Sequence, residues 1–81
     1  MKMELMPVYD TRKSFYRKAI IEKGKLYSYD TLVASYEDGV ISLHNTRLYS
    51  ATTLRHVKEF IKQLGFEAGS KKQLLEAYKE V

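Results

Sequence analysis

The 81-residue chain has no cysteine, one proline and four glycines. Without cysteine, two props of small folds are ruled out: the disulfide and the thiolate zinc site. Such a composition fits a reducing compartment. With little proline or glycine and no low-complexity tract, nothing reads as an interdomain linker. A single domain over 1–81 is expected, with 1–13 as an irregular N-terminal arm. Long apolar runs are missing too, since no stretch approaches the roughly 18 residues of a membrane span. In Met1-Lys2-Met3-Glu4-Leu5-Met6-Pro7, Glu4 and Pro7 interrupt what would be the apolar centre of a secretory signal. A soluble, cytoplasmic protein is expected.

What the chain does hold is an uneven charge map under a formal net charge of +4. Residues 1–25 are net +4, 26–45 net −3, 46–65 net +3, and 66–81 balance. A basic start, an acidic middle and a basic helix suit an anionic partner. A mixed solvated surface accounts for the same numbers equally well.

Aromatic and β-branched residues in Ser14–Glu22 predict a first strand, which would also be the exposed edge of the sheet. Gly24 supplies a turn. Residues 26–36 alternate as one long strand, with a bulge or break expected near Asp30. On it Tyr27 and Tyr29 share one face. Asp38-Gly39 is a hairpin turn, and Val40–His44 completes the hairpin. Ser50 predicts an N-cap for a helix over 51–64, ended by Gly65. Ser70-Lys71-Lys72-Gln73 is a capping-box pattern for a second helix over 71–80. The fold expected is α+β: an antiparallel meander of three or four strands followed by two C-terminal helices. Its expected core is Ile21, Leu32, Ala34, Ile41, Leu43, Leu54, Val57, Phe60, Ile61, Leu64, Leu74 and Tyr78.

Catalytic patterns are weak. The serines sit in no G-x-S-x-G, the glycines form no phosphate loop, and Glu37-Asp38 is a turn. His44 and His56 would need to meet in space, with Asp30 or Glu37, to hold a metal. His56 reads as a boundary residue between the apolar and polar sides of its helix. No catalytic residue, metal or cofactor is assigned. Tyrosine is the unusual residue, with seven copies. Exposed rings beside cations can stack bases while the cations hold phosphates. Tyrosine is equally suited to a protein interface, or to covering a two-sided sheet. The candidate binding residues are Arg17, Lys18, Tyr27, Tyr29, Arg47, Arg55, Lys58 and Lys62. Arg55, Lys58 and Lys62 share one helical face by their spacing.

The segment Ser28-Tyr29-Asp30-Thr31-Leu32-Val33-Ala34, then Tyr49-Ser50-Ala51-Thr52-Thr53-Leu54-Arg55-His56 and Phe60, resembles small uncharacterised proteins of phages and mobile elements of Gram-positive bacteria. Those proteins are similar in carrying a Ser-Tyr-x-Thr strand and a Tyr-Ser-x-Thr-Thr-x-x-His helix start. The resemblance spans roughly 28–60 and carries no activity or site residues with it. It implies a bacterial host cell as the setting, and binding as the mode of action. The expectation is a non-catalytic binding module, with nucleic acid slightly favoured as partner. A protein-binding inhibitor or modulator of a host enzyme or defence complex is the alternative. A homodimer through a free strand edge is a further possibility.

Overall fold

The computed structural model describes residues 2–10, 15 and 18–81. Six strands form one sheet in sequence order: β1 (Lys2–Glu4), β2 (Ala19–Glu22), β3 (Lys25–Ser28), β4 (Thr31–Glu37), β5 (Val40–Leu43) and β6 (Lys79–Glu80). A 3₁₀ turn (Thr46–Leu48), helix α1 (Ala51–Gln63) and helix α2 (Lys71–Ala77) lie between β5 and β6. The α+β class and the two C-terminal helices agree with the expectation, but the sheet has more strands than the three or four expected. Among the described residues no helix is long and apolar enough to cross a membrane.

The extra strands come from both ends. Residues 2–4, expected in an irregular arm, pair antiparallel with β2, and the Leu5 N–H continues the ladder to the Ala19 carbonyl at 2.8 Å. Leu5 is buried, which anchors the segment. The edge is therefore β1 and not the expected 14–22 strand. Of that expected strand, only Ala19–Glu22 is extended among the described residues, and Ser14 and Tyr16 lie outside them. At the other end α2 stops at Ala77, short of the expected 80, because Tyr78 turns extended. Lys79 and Glu80 then pair parallel with Ser42 and Leu43. A parallel pairing needs a long crossover, and the two helices provide it. The Glu80 carboxylate accepts from Thr46 Oγ1 at 2.6 Å and Thr46 N–H at 3.2 Å. Those hydrogen bonds, helped by the charges of Lys71 and Arg47, hold its pKa below the usual carboxylate value.

The 26–36 strand is broken at Asp30, as expected, and the break is a full hairpin turn. Tyr29 and Asp30 have φ of 52° and 67°, so the chain reverses there and Ser28 pairs with Thr31. The bulge falls three residues later. Leu26 pairs with Ala34 and Tyr27 with Leu32, so Val33 is the extra residue. The turn sets Thr31 opposite Ser28 and so puts Leu32 on the other face with Lys25, Ser35 and His44, and the bulge then restores the phase, so that Val33 and Ala34 are both buried. Leu32 is thus a correction to the expected core. The bulged Val33 carbonyl accepts from the His44 N–H at 2.9 Å and from the Tyr49 hydroxyl. Burial pushes that phenol's pKa well above its ordinary range.

One face of the sheet is covered. Leu26, Val33, Ala34, Ile41 and Leu43 pack with Val57, Phe60 and Ile61 of α1 and Leu74 of α2, joined by Leu5, Phe15 and Ala19. Ile21, Leu54, Leu64 and Tyr78, expected in the core, pack half-buried at its margin. Leu75 and Ala77 of α2, and Val81 after β6, are exposed. Both helix starts are capped as predicted: Ser50 Oγ accepts the Thr53 N–H at 3.1 Å, and Ser70 and Gln73 form a reciprocal capping box.

Candidate functional site

Helix α1 carries three kinds of surface. Its inner face is the apolar one just described. Beside it runs a buried polar seam. Ser28 Oγ, at the end of β3, is hydrogen-bonded to His56 Nδ1 at 2.7 Å and to Thr53 Oγ1 at 3.0 Å. The cap residue Ser50 donates to Thr53 Oγ1 at 3.2 Å. His56 is 0% exposed and Ser28 2%, beneath the rings of Phe15 and Tyr29 at 4.8 and 5.9 Å between centroids. A serine–histidine contact has the polar geometry of a nucleophile and its base. Here it is sealed from any substrate, and what it does is tie the 29–30 turn to the helix. His56 is therefore a buried seam residue and not the boundary residue the sequence implied.

The seam continues at Glu59, which is 2% exposed. Its carboxylate accepts from the backbone N–H groups of Val8 and Tyr9 at 3.0 Å each, and from Gln63 Nε2 at 2.5 Å. Gln63 Nε2 also donates to the Met6 carbonyl at 2.7 Å. A carboxylate buried this way is satisfied by charge-assisted hydrogen bonds. The consequence for the third surface is large. Glu59 is the only acid in α1, and it points inward. The outward stripe is left to Arg55, Lys58 and Lys62.

These three line one shallow depression with Tyr9, Asp10 and Glu59. Tyr9 is 62% exposed at the rim. Lys62 also borders a second depression that holds Glu67 and Tyr78. Beside the buried His56, at the 29–30 turn, stands Tyr29. The residue is 50% exposed, and Lys18 Nζ lies over its ring, 5.7 Å from the centroid. The Tyr29 N–H donates to the Lys18 carbonyl at 3.0 Å, so the two residues are fixed side by side.

The candidate residues thus divide. Arg55, Lys58 and Lys62 gather along one flank of α1, and Lys18 and Tyr29 sit together at the 29–30 turn beside His56. Tyr27 does not join them: it pairs with Ile20 and lines a depression on the helix-free face of the sheet with Lys2, Glu4 and Glu22. The expected shared face of Tyr27 and Tyr29 fails because Tyr29 is a turn residue. Arg47 is exposed in the 3₁₀ turn, where its charge acts on Glu80. Arg17 lies outside the described residues. His44 and His56 do not meet. His44 Nε2 is bonded to Ser35 Oγ at 3.0 Å on the helix-free face, and His56 lies under the other. Among the described residues no cluster of three or more His, Asp or Glu could hold a metal ion.

Tyr9 and Glu59 escaped the sequence reading. The signal available was an isolated acid between two lysines on a basic helix, in Lys58-Glu59-Phe60-Ile61-Lys62.

A family model described as a family of unknown function (DUF8033) matches residues 3–76. The chain belongs to this family. The matched span runs from β1 into the last turn of α2. It therefore takes in the polar seam, the 29–30 turn and the basic stripe together. No curated protein and no solved structure matches the chain.

Proposed function

We propose that the protein is a non-catalytic binding module whose partner is nucleic acid, held along the outer face of α1. The observation that carries this reading is the burial of Glu59. Its carboxylate is turned in to the Val8 and Tyr9 amides, so Arg55, Lys58 and Lys62 form the outward stripe of the helix, bordered by Asp10. Three such contacts to phosphate give weak, salt-sensitive binding, with electrostatics supplying most of the affinity. Tyr9, in the same depression, and Tyr29, beside His56, add π-faces near the charges. The setting implied by the resemblance, a phage or mobile element in a bacterial cell, adds a supply of such partners.

A second reading, binding to a host protein, draws on the helix-free sheet face, where Ile20, Tyr27 and Leu32 form an apolar row between charged residues. Charge supports the first. The row is bordered by both signs, Lys2 and Lys25 against Glu4 and Glu22, and presents no field of one sign to a partner.

The test is binding of labelled 20-nucleotide single strands and duplexes as a function of salt. Replacing Arg55, Lys58 and Lys62 together with alanine is expected to leave the fold intact and to flatten the salt slope by roughly 2–3 units. If the parent binds neither form at ~50 mM salt, or the triple variant binds as the parent does, the reading falls.

A further inference from the structure

The geometry points to single-stranded nucleic acid as the form held, with the Lys18 ammonium moving from over the Tyr29 ring to a phosphate and the ring stacking the adjoining unpaired base. This rests on the reading above and sharpens it.

Three observations lead there. First, Tyr29 sits at φ 52°, a conformation that a bulky side chain adopts only at a cost. An asparagine would form this turn with less strain. The residue is nevertheless half exposed, so burial of apolar surface alone does not repay the strain. Second, the ring is held in place. Its backbone is bonded to Lys18, its inward side rests on the sealed His56 ring, and Ser28 pins the turn to α1. A stacking platform needs this fixity, since a mobile ring would lose entropy on binding. Third, the cations of α1 run from Arg55 to Lys62, seven residues or about 10 Å of helix. At the roughly 3.4 Å per nucleotide of a stacked duplex strand that is about three nucleotides, and fewer of a more extended unstacked strand, a short track. The bases of a duplex stack on one another and offer no face to a protruding ring, whereas an unstacked strand does.

The decisive variant is Tyr29→Asn, which removes the ring and relaxes the backbone. Tyr29→Phe keeps a ring of the same shape. The assay measures binding to single-stranded and duplex oligonucleotides over a salt series, with circular dichroism melts of each variant. For the parent, single strands are expected to bind more tightly than duplex. Tyr29→Phe should match the parent. Tyr29→Asn should lose about ten-fold in single-strand affinity with an unchanged salt slope, because stacking is not ionic. Lys18→Ala should do the reverse, lowering the single-strand slope by about 0.7. Should Tyr29→Asn melt below the assay temperature, Tyr29→Gly takes its place, since glycine accepts this φ freely. If a folded Tyr29 variant without a ring binds single strands as the parent does, or the parent prefers duplex, the inference fails while the nucleic-acid reading stands. If the parent binds neither form, both fail together.

Discussion

Three two-residue turns reverse the central meander, and they take nearly the same backbone path with different residues. Lys23-Gly24 has φ of 52° and 78°, Asp38-Gly39 has 52° and 79°, and Tyr29-Asp30 has 52° and 67°. These are turns with positive φ at both positions, which match the twist of paired strands. In two of them glycine holds the second place, where the left-handed conformation costs a residue with a Cβ the most. The third has no glycine and opens with the bulkiest residue of the set. The first two turns are built to reverse the chain. The 29–30 turn reverses the chain and also presents an aromatic ring beside a basic helix, and its strain is offset by the seam of Ser28, Thr53 and His56 behind it.

The largest effect expected from breaking the comparison is at Gly24. A Cβ there would stand 2.6 Å from the Tyr36 carbonyl oxygen, a backbone atom that cannot swing away. Gly24→Ala adds that clash to the left-handed penalty and should cost about 2–3 kcal/mol, seen as a large drop in melting temperature. Gly39 has the same conformation but open space around its would-be Cβ. Gly39→Ala should therefore cost only the conformational part, about 1 kcal/mol. The difference between the two isolates close packing from backbone strain. Equal losses would mean that the hairpin at 23–24 yields to accommodate the methyl group.

The same comparison explains what could be read from the sequence. Both glycine turns were legible, because Asp-Gly between alternating segments and a glycine among charged residues announce a reversal. The Tyr29-Asp30 turn was legible only as a break near Asp30 and not as a reversal. Tyrosine favours strands, and Ser28-Tyr29-Asp30-Thr31 continues the alternation of 26–36 without interruption, so local propensity pointed to one strand while tertiary contacts made two. Missing that turn also misplaced Leu32 and Tyr29. The α1 register was legible because Leu54, Val57, Phe60 and Ile61 repeat at helical spacing, and so was the coherence of Arg55, Lys58 and Lys62. That Glu59 faces inward was not, since its partners are backbone amides 50 and 51 residues away and no side-chain pattern encodes them. β6 was hidden for a similar reason: two residues, Lys79 and Glu80, are too few to show a period.

The smallest effect expected is at Asp30, where the turn can be made to resemble the other two without touching the ring. Asp30→Gly removes the strain of a side chain at φ 67° and also enlarges the unfolded ensemble, two changes of opposite sign. Aspartate tolerates the left-handed region better than most residues, so the strain relieved is small. Melting temperature should move by the equivalent of no more than about 0.5 kcal/mol, within the range of an exposed substitution. Single-strand binding should be retained in full, because Tyr29 and Lys18 keep their places. A clear fall in stability would show that the Asp30 carboxylate helps to hold the turn. Lost binding in a stable Asp30→Gly protein would move recognition from the Tyr29 ring to the turn beside it, and the contrast among the three turns would then rest on the acid that replaces glycine.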